Sequence, residues 1–91
     1  MDCRRFIVRG RVQGVGFRWF VRERARRLGL AGFVRNMADG SVEVAASGDE
    51  QQVEMLRAEL QRGPSGARVK ELQDLVDPLA EPLEAPFEIS R

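Results

Sequence analysis

An α+β fold in the order β-α-β-β-α-β, an antiparallel sheet carrying both helices on one face, is predicted by three features of the sequence. Apolar residues alternate with a period of two in residues 4–12 and 41–46, as in strands with one buried face. They recur at spacings of three and four in residues 17–28 and 53–60, the period of a helix with one buried stripe. Residues that turn or cap the chain fall at the junctions: Gly14 and Gly16, Gly29, Gly40, Asp49 and Gly63.

The first strand runs from Arg4 to Val12, with Phe6, Val8, Gly10 and Val12 on one face and Ile7, Arg9 and Arg11 on the other. A helix begins at Phe17, whose face is shared by Phe20, Val21, Ala25 and Leu28, while Arg22, Arg24, Arg26 and Arg27 lie largely off it. Gly29 offers a left-handed C-cap. Leu30 to Arg35 and Ser41 to Ala46 read as strands, and the short link Asn36-Met37-Ala38-Asp39-Gly40 makes them a hairpin. Asp49 caps a second helix, with Gln52 spaced to complete a capping box; Val53, Leu56 and Leu60 form its stripe, and Gly63-Pro64 stops it near Arg62. Ala67 to Leu75 is a weaker strand, Asp77 to Pro86 a proline-interrupted acidic loop, and Phe87-Glu88-Ile89 a short closing strand. The order is that of the split-βαβ, or ferredoxin-like, arrangement over a single domain of residues 1–91. Its first and third strands are the central pair and its second flanks the third. Enzymes and binding modules both use it, so the fold alone does not choose a function.

At 91 residues, 43% hydrophobic with five Phe and one Trp, the chain can build one core and has no room for two. No apolar run approaches the roughly 18 to 20 residues that span a bilayer, and Met1-Asp2-Cys3-Arg4-Arg5 leads into a strand and not into a signal sequence. A soluble, cytoplasmic protein without membrane association is expected. The single cysteine, Cys3, cannot form an intramolecular disulfide, which suits a reducing compartment. Histidine is absent, so the usual zinc, copper and haem ligand sets cannot be assembled from side chains, and Ser-His-Asp and Cys-His catalysis is excluded. No metal or cofactor is expected, and without a heptad seam the chain reads as a monomer.

The net charge of +1 hides a division, because residues 1–35 hold ten Arg against Asp2 and Glu23, a net +8. An anionic partner would prefer that half. Fourteen of the fifteen basic residues are Arg, which composition bias alone can produce.

The segment Gln13-Gly14-Val15-Gly16-Phe17-Arg18 lies where the first strand hands over to the first helix. Its glycines permit backbone angles that aim successive N–H groups at one point, next to the positive end of a helix. Arg18 adds a planar guanidinium able to bind two oxygens, so a phosphoryl oxyanion is a natural guest. A Gly-Lys-Ser/Thr sequence and a third glycine are missing, which sets aside the Walker A and dinucleotide fingerprints. A glycine turn made for tight packing, with Arg18 in solvent, fits the same residues, and loop chemistry alone does not separate the two.

The stretch Val8-Arg9-Gly10-Arg11-Val12-Gln13-Gly14-Val15-Gly16-Phe17-Arg18 resembles the first signature of the acylphosphatase family. Gly32-Phe33-Val34-Arg35-Asn36, then Asp39-Gly40-Ser41-Val42-Glu43-Val44 and Gly48, resembles the second. Many members carry Trp where Phe33 stands, an exchange expected to alter packing near Asn36 more than chemistry. The resemblance implies that the backbone N–H groups of Val15, Gly16, Phe17 and Arg18, with the Arg18 side chain, hold a phosphoryl group. It also implies that Asn36 orients water to hydrolyse the carboxyl–phosphate bond of a small acyl phosphate, without a metal.

Such a reaction suits a chain without histidine. The leaving carboxylate has a conjugate acid of pKa roughly 4 to 5 and departs unprotonated. The transition state is loose, so placed donors and positioning supply most of the rate. Asn36 cannot take a proton at neutral pH, but its amide oxygen can accept a hydrogen bond from water and fix it in line.

Trp19 and Phe20 read as packing residues, and Arg22, Arg24, Arg26 and Arg27 as a solvated helix face. A nucleic-acid-binding module, suggested by the basic first half with Trp19, Phe20 and Phe33, lacks the aromatic-rich RNP1 strand. The resembled family also occurs fused to hydrogenase maturation factors, but a chain ending soon after its closing strand reads as free-standing. Metabolite, carbamoyl phosphate and aspartyl-phosphate protein substrates all stay open.

Overall fold

The computed structural model describes residues 2–75 and 83–90. Its elements are β1 (Asp2–Arg11), α1 (Phe17–Arg27), β2 (Ala31–Asn36), β3 (Val42–Gly48), α2 (Glu50–Arg62), β4 (Arg68–Leu75) and β5 (Glu88–Ile89). They form a five-stranded sheet in the order β4-β1-β3-β2-β5, with β1 and β3 at the centre and β2 flanking β3. The expected ferredoxin-like class is found. The expected loop from Asp77 to Pro86 lies, up to residue 82, outside the described residues.

The apolar periods become the core. Phe6 and Val8 of β1, Val34 of β2 and Val42 and Val44 of β3 face Phe17, Val21 and Ala25 of α1 and Val53, Leu56 and Leu60 of α2. Fully burying side chains of this size stabilises the fold by about 1.5–3 kcal/mol each before entropy is counted. Ile7, predicted on the opposite face, is also buried at 8% exposure, because β1 is central and flanked on both sides. On that helix-free face Glu43 is buried and paired with both Arg5, at 2.5 Å, and Arg35.

The helix ends follow their local chemistry. Gly29, at φ +71°, lies in the left-handed region just after α1. Asp49 caps α2, but its carboxylate accepts from the N–H of Gln51 at 2.9 Å and not from that of Gln52. The closing strand is shorter than predicted, and it runs parallel to β2 at an otherwise antiparallel sheet's edge. Phe87, just before it, is buried in the core, while the Arg26 guanidinium donates to the Phe87 carbonyl at 2.8 Å and pairs with Glu88.

The topology places the candidate residues. β1 and β2 are each antiparallel to β3, so they point the same way and end at the same edge of the sheet. Val42 stands opposite Val8 on one side and Asn36 on the other. With neighbouring strands about 4.8 Å apart, Asn36 at the start of the hairpin sits about 10 Å across from Val8, three residues before the end of β1.

Candidate active site

The loop after β1 is a cradle of free donors. Gly14 and Gly16 both adopt φ +76°, the left-handed region that disfavours any residue with a Cβ. A Cβ added at either would meet nothing within 4 Å, so the requirement is conformational and the space above the loop is open. Gly16 is also the N-cap of α1, and no acidic residue stands in the first turn. Phe20 N–H bonds to the Gly16 carbonyl at 3.0 Å; among the described residues the N–H groups of Val15, Gly16, Phe17 and Arg18 have no internal acceptor. Helix polarity adds to these donors, and the loop end of α1 is attractive to an anion.

Arg18 is half-buried in the first turn of α1. The other half-buried arginines are engaged: Arg4 with Asp74, Arg5 and Arg35 with Glu43, Arg9 with Gln73, Arg22 with Glu23, Arg24 with Glu59 and Arg57 with Glu54. Arg18 alone among them has no acceptor among the described residues. A guanidinium with its fork uncommitted beside a row of uncommitted N–H groups can take oxygens from outside the protein.

Arg18, Gly14, Gly16 and Asn36 line one cleft of about 610 Å³. The side chain of Asn36, exposed at the end of β2, makes no hydrogen bond among the described residues and is available to a small polar molecule. The residues singled out in sequence are thus brought together, with Val15 half-buried and packed against the core and Phe17 buried beneath the cradle.

Three further residues join the site. Gln13 spans it: its amide Nε2 donates to the carbonyls of Met37 and Ser41, both at 2.9 Å, and ties the loop after β1 to the hairpin carrying Asn36. Its place in the first signature was visible, but its partners lie 24 and 28 residues away. Ile89 and Ser90 line the cleft because β5 ends at the same sheet edge. In the hairpin, Asp39 accepts from the Ser41 hydroxyl at 2.5 Å and from the Ser41 N–H at 2.9 Å. These bonds, aided by Arg9 and opposed by burial, hold its carboxyl below the ordinary 3.8.

Several expectations change. Trp19 is not a packing residue: it is 61% exposed and lines the cleft, while Phe20 is buried as predicted. Arg24 and Arg26 are not merely solvated; Arg24 lies 4.7 Å from the Phe20 ring centroid, and Arg26 anchors the Phe87–Glu88 segment. Phe33 and Arg35 alternate with Val34 and Asn36 along β2, which puts Phe33 on the face opposite Asn36, under the Arg35 guanidinium. Its exchange for Trp therefore bears on the helix-free face. No helix among the described residues is long and apolar enough to cross a membrane.

Fold and site together define a small α+β domain with an anion cradle at a strand-to-helix turn. The acylphosphatase family model matches residues 4–89, and the chain belongs to that family. It is 57% identical over 72 residues to an acylphosphatase of Koribacter versatilis and 60% identical over 65 residues to one of Synechococcus. Those alignments cover 79% and 71% of this chain but 66% and 56% of the relatives' own lengths. The crystal structure of acylphosphatase from Bacillus subtilis superposes with a TM-score of 0.85 at 34% identity, covering 100% of both chains.

Proposed function

We infer that this chain is an acylphosphatase: it hydrolyses a small acyl phosphate to a carboxylate and inorganic phosphate, acting as one domain of residues 1–91 in monomeric form. The observation that carries the reading is the row of N–H groups from Val15 to Arg18, uncommitted among the described residues, next to the one half-buried guanidinium without an acceptor among those residues. In this reading the cradle and Arg18 hold the phosphoryl oxygens and stabilise the charge that spreads over them in a loose transition state. The Asn36 amide oxygen accepts a hydrogen bond from water and holds it opposite the leaving oxygen. A new P–O bond forms to the water oxygen as the bridging P–O bond breaks. The bond's electron pair leaves on the carboxylate and both water protons finish on phosphate, so no acid, base or metal is required. The free cysteine suits a cytoplasmic location.

The test is benzoyl phosphate hydrolysis in EDTA by the native chain, Arg18→Ala and Asn36→Ala, with circular dichroism confirming that each is folded. The native rate is expected to be indifferent to EDTA, and each folded variant to lose about 100- to 1,000-fold or more. A chelator-sensitive rate, or a folded Arg18→Ala of native activity, overturns the assignment.

A further inference from the structure

The cleft is larger than its anion cradle requires. Its volume of about 610 Å³, open to solvent on one side, is far above what one phosphoryl group fills. Its walls divide by chemistry. Gly14, Gly16, Arg18 and Asn36 make the polar end, whereas Val12, Phe17, Trp19 and Ile89 make an apolar side. Val12 and Phe17 are 1% exposed and belong to the core, so the apolar surface offered to a ligand is that of Trp19 and the half-buried Ile89.

Trp19 is the anomaly of this surface. It is 61% exposed, although an indole carries more apolar area than any other side chain and is normally largely covered. Among the described residues no other ring or guanidinium stacks on it; the ring contacts that exist are Phe17 with Phe20 and Arg4, Arg24 and Arg35 with phenylalanines. It directly follows Arg18 on α1, so one step of about 100° round the helix separates the guanidinium from the indole. In an acyl phosphate one bridging oxygen joins phosphorus to the acyl carbon, so a phosphoryl group in the cradle leaves its acyl group within reach of the other walls of the same cleft. Arg18 is the cleft's one charged lining residue among those described, so an acyl group with a second anionic group would meet no second cation there.

We propose that Trp19 and Ile89 form the acyl subsite of this cleft, making acyl phosphates with a planar, apolar acyl group, aryl ones above all, the preferred substrate class. The inference rests on the acyl phosphate hydrolase reading and names the substrate end that the anion cradle leaves open.

The test compares kcat/KM for benzoyl phosphate and acetyl phosphate in the native chain, Trp19→Ala and Trp19→Phe. The benzoyl-to-acetyl ratio is expected to fall about tenfold in Trp19→Ala and to be largely kept in Trp19→Phe. Trp19 is the single tryptophan, so binding can be read without turnover. Phenylphosphonate is expected to shift its emission to the blue, and inorganic phosphate at equal occupancy is not. An unchanged ratio in folded Trp19→Ala, or equal spectral responses to the two ligands, overturns the subsite while leaving the hydrolase reading intact. A native chain that hydrolyses neither substrate overturns both.

Discussion

Gln13 is the link on which the site's internal spacing depends, and its removal can be sized from the structure. Its Nε2 donates two hydrogen bonds of 2.9 Å, to the carbonyls of Met37 and Ser41. Each such bond contributes about 0.5–1.5 kcal/mol net. The two carbonyls keep one partner each when Gln13 is cut back, Met37 from the Gly40 N–H at 3.2 Å and Ser41 from the Met37 N–H at 2.8 Å. The further desolvation penalty of an orphaned acceptor is therefore avoided, and Gln13→Ala is expected to cost about 1–3 kcal/mol. For a domain of this size that lowers Tm by about 4–24 °C. The catalytic effect should be larger than the stability effect suggests, because the hairpin carrying Asn36 would drift relative to the loop carrying Arg18. Misplacement by about 1 Å costs up to about 100-fold in rate. Steady-state kinetics on benzoyl phosphate, paired with inhibition by inorganic phosphate, separate the two. A kcat reduced about 10- to 100-fold with phosphate inhibition nearly native would show the cradle intact and the water misaligned. A variant that melts lower yet keeps native kcat would refute this account and leave Gln13 a purely structural tie.

Two contrasts extend the test. Gly32 sits at φ +137°, and a Cβ there would lie 1.9 Å from the Ala45 carbonyl oxygen, so Gly32→Ala must part β2 from β3 and is expected to cost about 3 kcal/mol or more in chemical denaturation. Gly14→Ala meets no neighbour and bears only the strain of its left-handed backbone, about 1–2 kcal/mol, but should weaken inhibition by inorganic phosphate because the cradle is reshaped. For Asp39, the folded carboxyl titrates below the ordinary 3.8, so its contribution is fully present above that value and is lost as pH falls through the lowered one. Asp39→Asn is therefore expected to melt below the native chain at pH 7, with the gap closing as the pH drops beneath 3.8; a gap constant across that range would contradict the assignment.

Much of the site's first layer is local, and local features can be read along a chain. The left-handed turns at Gly14 and Gly16, the helix opening at Phe17 and Arg18's place in its first turn depend on residues within one turn of each other. Asn36 was legible as the residue where a strand gives way to a hairpin, and its approach to the loop after β1 follows once β1 and β2 are both paired to β3.

Other features are products of distance. Gln13's amide faces two carbonyls from a different hairpin, and a side chain's orientation toward a partner 24 residues on leaves no periodic trace. Trp19 stands in a helical pattern among buried neighbours, and hydrophobicity alone assigns it to packing; the cleft beside Arg18 leaves it exposed. The parallel β5 edge, which brings Ile89 and Ser90 to the cleft, depends on Phe87 finding the core and Arg26 catching its carbonyl.

Periodicity and glycine placement are one-dimensional properties, set by which backbone angles each residue tolerates and which face it must bury, so the sequence alone determined the element order and the glycine turn that leads into Arg18, while Asn36 became a candidate through the resemblance of its motif to the family's second signature. Which donors stay uncommitted is a different matter. A guanidinium, an amide or an N–H is free only when no acceptor reaches it, and that depends on every neighbour that folding brings near. Only the tertiary structure decided that Arg18 has no ion-pair partner among the described residues where the other half-buried arginines do, and that an exposed tryptophan stands at its side.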